Sequence, residues 1–138
     1  MIFSFGQSDI VGDLVLYPTG IHWIPISSIF LAVSITEKEG IFDLTFDLQG
    51  VENVPLAIEF AFRKGGFISN AEKINDVADS WLLSTGTAKI RVDNDEITIG
   101  PGKAEHRWTA IRGGLPKPEA DCIYITGFTP FKHKISIG

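Results

Sequence analysis

The chain has 138 residues, 44% of them hydrophobic, and a formal net charge of −5. This length suits one domain with a core that needs no metal or disulfide, and the composition excludes a disordered chain. The acidic balance argues against nucleic acid, and Asp, Glu, Lys or Pro breaks every apolar run well short of the ~20 residues of a membrane span.

Residues 2–5 suit a short strand, and 14–17 form a second apolar run closed by Pro18-Thr19-Gly20. No basic segment or long apolar run marks a signal peptide at the start, so the default expectation is cytoplasmic. Ile21-His22-Trp23-Ile24 follows, shut in by Pro18 and Pro25, which favour an edge or a loop because proline cannot donate to a sheet ladder. Residues 29–36 predict a strand and 37–40 its turn.

The clearest strand signal comes next. Phe42, Leu44, Phe46 and Leu48 alternate with Ile41, Asp43, Thr45 and Asp47. Leu56, Ile58, Phe60 and Phe62 alternate with Ala57, Glu59, Ala61 and Arg63. A period of two is that of a half-buried strand, so one face needs a covering layer. The other, with Asp43, Asp47, Glu59 and Arg63, is expected to meet solvent. Residues 69–80 are less regular. Ala71, Ile74, Val77 and Ala78 have helical spacing, which allows one or two helical turns, and a long loop is the alternative.

The most organised stretch is 86–108. Ala88, Ile90 and Val92 alternate with polar neighbours, Asp93-Asn94-Asp95 carries turn chemistry, and Ile97 and Ile99 resume the alternation. Gly100-Pro101-Gly102 then redirects the chain towards His106, Arg107 and Trp108. Residues 112–121 read as a loop, and 123–128 and 131–137 as the last strands. Cys122 is the only cysteine, so no internal disulfide forms, and its apolar neighbours mark it as a buried, inert thiol. Eight to ten short strands without a convincing helix predict an all-β fold, an antiparallel β-sandwich or jelly-roll-like single domain over residues 1–138.

The candidate ligand-binding residues are His22, Trp23, His106, Arg107 and Trp108, two His-Trp groups each beside a Gly- or Pro-containing turn. An exposed Trp can stack on a sugar ring, while Arg and His bond hydroxyls or acidic groups; Lys103 and Arg112 can add to that polar part. The competing use of Trp is burial. The three histidines, His22, His106 and His133, are far apart in sequence and lack the His-x-His spacing of strand-borne metal ligands, so the expectation is no metal, no cofactor and one hydrogen-bond partner for each. No Gly-x-Ser-x-Gly, His-Glu-x-x-His or phosphate-binding glycine loop is present, and no catalytic residue is expected.

Residues 86–102 resemble the glycine-bounded strand pair of cupins, without that family's paired histidines and later glutamate. A cupin-like small-molecule or metal-binding protein is one alternative, and a purely structural or oligomerising domain is another. Thr19-Gly20-Ile21-His22-Trp23, the run from Val54 through Gly66, and Gly100-Pro101-Gly102 with His106-Arg107-Trp108 are similar to the β-sandwich regions of heparinase II/III-like polysaccharide lyases. That resemblance implies an accessory, non-catalytic domain of carbohydrate metabolism. The partners expected for the chain are a carbohydrate ligand, a partner catalytic domain or a second copy of itself.

Overall fold

The computed structural model describes residues 2–7, 14–19, 29–107 and 118–138, with side chains from residue 31 onward. Twelve strands form among them. The first six are β1 (Ile2–Gln7), β2 (Leu14–Thr19), β3 (Ile29–Lys38), β4 (Ile41–Gly50), β5 (Pro55–Phe62) and β6 (Phe67–Ser69). The others are β7 (Glu72–Lys73), β8 (Ser80–Leu82), β9 (Ala88–Val92), β10 (Asp95–Gly100), β11 (Asp121–Phe128) and β12 (Phe131–Ile137). They make two six-stranded sheets. Sheet A runs β2-β1-β5-β11-β8-β7 and sheet B runs β3-β4-β12-β10-β9-β6.

The all-β expectation holds, with two differences. Sheet B is antiparallel throughout, whereas sheet A is mixed, because β1 lies parallel to β5 and β8 parallel to β11. The helical turns allowed over 69–80 do not form; β7 and the start of β8 lie there, after β6. Ala71 packs against the main core while Ile74 packs on a second cluster, so the spacing that would line one helix face serves two separate clusters instead.

Both sheets contribute to one core. Leu44, Phe46 and Leu48 of β4 and Ile135 of β12 meet Leu56, Ile58 and Phe60 of β5 and Ile123 and Ile125 of β11. The Phe46 and Phe60 rings meet edge to face, with centroids 6.2 Å apart. Phe42, expected with this set, lies at the end of β4 beside the hairpin turn and is 38% exposed. That turn is Glu39-Gly40, both in the left-handed region at φ 53° and 80°, as a two-residue hairpin requires. The Glu37 carboxylate accepts the Gly40 N–H at 2.7 Å.

Glu59 overturns the expectation of a solvated second face on β5: its side chain is fully buried. β5 sits inside sheet A, between β1 and β11. The outer face of this region carries its own cluster, Ala57, Leu82, Cys122 and Tyr124, with Ala61, Ile74, Ala104 and Ala120 packed against it. Cys122 is buried there, as its neighbours suggested.

β11 returns as β12 through a tight connection, and Gly127 allows it. A β-carbon on Gly127 would overlap the ring of Phe131, which is fully enclosed in the core. Gly127→Ala is therefore expected to cost about 1–3 kcal/mol through overpacking, read as a lower urea midpoint with an unchanged slope.

Candidate functional site

His106 and Arg107 lie on a segment that continues sheet A without being a full strand. β8 pairs with Cys122, Ile123 and Tyr124 in the first half of β11. Residues 103–106 then take the adjoining position beside Thr126, where Ala104 makes a parallel bridge. Thr126 N–H donates to the Lys103 carbonyl at 3.0 Å, and Glu105 N–H donates to the Thr126 carbonyl at 3.1 Å. The Gly-Pro-Gly corner makes this course possible. Gly102 N–H donates to the Gly86 carbonyl at 2.8 Å, and a β-carbon at Gly102 would lie 2.5 Å from Leu83 Cγ.

On this segment the side chains divide by role. The His106 ring is half-buried, its Nε2–H donates to the Leu56 carbonyl at 2.9 Å, and its edge meets Phe128 with centroids 5.3 Å apart. Thr126 Oγ1 donates to the His106 carbonyl at 2.6 Å. The histidine thus joins this segment to both β5 and β11. Glu105 holds the end of β11, accepting the Phe128 N–H at 2.9 Å, and pairs with Lys103 at 3.2 Å.

Arg107 faces outward. Its guanidinium pairs with Glu72 of β7 and donates to Ser84 Oγ at 3.3 Å, with 58% of the side chain exposed. One strand residue along, Lys73 of β7 lies over the Trp81 ring of β8, 3.9 Å from the centroid. Trp81 itself is partly buried against the main core. An exposed guanidinium held by a carboxylate and a hydroxyl is able to exchange that carboxylate for one on a ligand, because an exposed pair is worth only ~0–1 kcal/mol.

The structure places His106 and Arg107 on one segment but with opposite orientations. His22, Trp23 and Trp108, and also Arg112, lie outside the described residues. His133 is on β12, where its Nε2–H donates to the Pro101 carbonyl at 2.7 Å. Among the described residues no group of three or more His, Cys, Asp and Glu is arranged to hold a metal ion.

One polar pair escaped the sequence. Tyr124 of β11 donates its hydroxyl to the Glu59 carboxylate at 2.6 Å, and both side chains are buried. Burial, followed by this carboxylate, pushes the Tyr124 phenol well above its usual range. The available signal was the run Cys122-Ile123-Tyr124-Ile125: continuous apolar character marks a strand buried on both faces, and its neighbour β5 shares that burial.

Comparison with known families, curated proteins and solved structures finds no match.

Proposed function

We propose that this chain is a single β-sandwich domain without catalytic chemistry of its own, and that it binds an acidic carbohydrate at the surface around Arg107. The carrying observation is the exposed Arg107 guanidinium, held by Glu72 of β7 and by Ser84, two residues past the end of β8. Trp108 follows it in the chain, an aromatic residue next in sequence to the charge. The guanidinium fork matches a uronate carboxylate or a sulfate in two parallel hydrogen bonds, which is the recognition this residue performs best. His106 acts as a positioning residue in this reading, because its hydrogen bond to Leu56 fixes the course of the segment that carries Arg107.

The sandwich assignment rests on the one core that both sheets share. The two parallel strand pairs of sheet A favour mixed connectivity over an all-antiparallel jelly roll.

Calorimetric titration with acidic and neutral oligosaccharides of equal length tests the binding. Acidic chains are expected to bind more tightly, and Arg107→Ala to weaken them about tenfold, or ~1.4 kcal/mol. Equal affinity for both classes, or an unchanged affinity in the variant, would overturn the role given to Arg107.

A further inference from the structure

The two sheets have four edges, and three of them are guarded. β7 is two residues long and β6 three, and β2 carries Pro18. Short edge strands and proline are the ordinary protections against pairing with another chain. The fourth edge, β3, has none of them. It is ten residues long and, among the described residues, pairs on one side only, with β4. From Ile29 to Thr36 it contains no charge and no proline. Its first charges, Glu37 and Lys38, come only at the hairpin.

We propose that β3 pairs antiparallel with β3 of a second copy about a two-fold axis at Val33, joining two B sheets into one. The chemistry of the edge selects the occupant. Residues 31–35 read Leu-Ala-Val-Ser-Ile, a sequence palindromic in size and polarity about Val33. A two-fold axis there sets Leu31 against Ile35, Val33 against its copy, and Ala32 against Ser34. Apolar residues of the core-facing side meet their like, and small residues of the outer side meet theirs, which keeps the register that alternation demands. An isologous contact of this kind is closed, so it yields a dimer and not a fibre.

Exposure follows the same pattern. Ile35 lies beside the buried Leu44 on the core-facing side yet is 48% exposed, and Leu31 and Val33 are only partly buried. Pairing with a second β3 brings Leu31 of the copy beside Ile35. On the outer side Ala32, Ser34 and Thr36 are all exposed and present no charge to repel a neighbour.

Sedimentation equilibrium over a wide concentration range tests the dimer. The expected mass is twice the 15.1 kDa of one chain. The double substitution A32K/S34K puts lysines opposite one another across the axis and is expected to give monomers with unchanged circular dichroism, since both positions face solvent. A32E/S34E is expected to do the same. An equimolar mixture of the two variants should recover the dimer through opposite charges. A wild-type chain that stays monomeric, or a dimer that the lysine pair leaves intact, overturns the proposal. A monomer that instead acquires a strand from a different protein also overturns it.

Discussion

Phe60→Ala is expected to lower stability by about 3–5 kcal/mol, the loss typical of a large aromatic removed from a closed core. Phe60 is on β5 of sheet A, is fully buried, and meets Phe46 of sheet B edge to face. The cost has two parts: the transfer of the lost ring surface and the cavity that strands on either side cannot close. A cycle with Phe46→Ala separates the contact from the burial. Because the rings touch, the two losses should fall short of additivity by about 0.5–1.5 kcal/mol. Additive losses would mean that the sheets do not pack across this pair. Urea unfolding of the four proteins gives all the terms.

Tyr124→Phe is the second large effect, at about 2–3 kcal/mol. The hydroxyl donates to a buried carboxylate, and removing it leaves Glu59 short of a donor in a place water does not reach. The pair also sets a pH dependence. The folded phenol titrates above the 10.0 of the free group, because burial and the Glu59 carboxylate both oppose a phenolate. The folded state therefore holds a proton that the unfolded state releases. The stabilisation is fully present below the unfolded value and declines as pH rises through it, by up to about 1.4 kcal/mol per pH unit. Wild type should lose stability above pH ~10 more steeply than Tyr124→Phe, whose ring has no proton to release. Parallel curves for the two proteins would contradict the assignment. Denaturation midpoints measured across the alkaline range compare them.

Much of the strand framework was legible because alternation is a local signal. Leu44, Phe46 and Leu48, and Ile58 and Phe60, face the core as their period of two requires. The turn at 93–94 was also legible: Asp93 takes φ 54°, the conformation its residue type tolerates. Glu59 was not. Alternation says which residues share a face, but whether that face is covered depends on where the strand sits in the sheet, and β5 is interior. The short strands β6 and β7 were hidden because two or three residues are too few to show a period.

The site was legible only in part. His106 shares parity with Ala104, and both turn towards sheet A, which the sequence could anticipate. The partners of Arg107 could not be anticipated, since Glu72 is 35 residues away and reaches it only through the pairing of β7 with β8. The proposed ligand recognition thus centres on one arginine whose surroundings are set by long-range topology.

The central claim is that an acidic carbohydrate engages that arginine, and nuclear magnetic resonance tests it most directly. Titration of the isotope-labelled chain with a uronate-containing oligosaccharide should shift the Arg107 side-chain Nε–H and the amides of Glu72 and Ser84 together, with one saturation curve. Shifts confined to another face of either sheet, or none at saturating ligand, would contradict it.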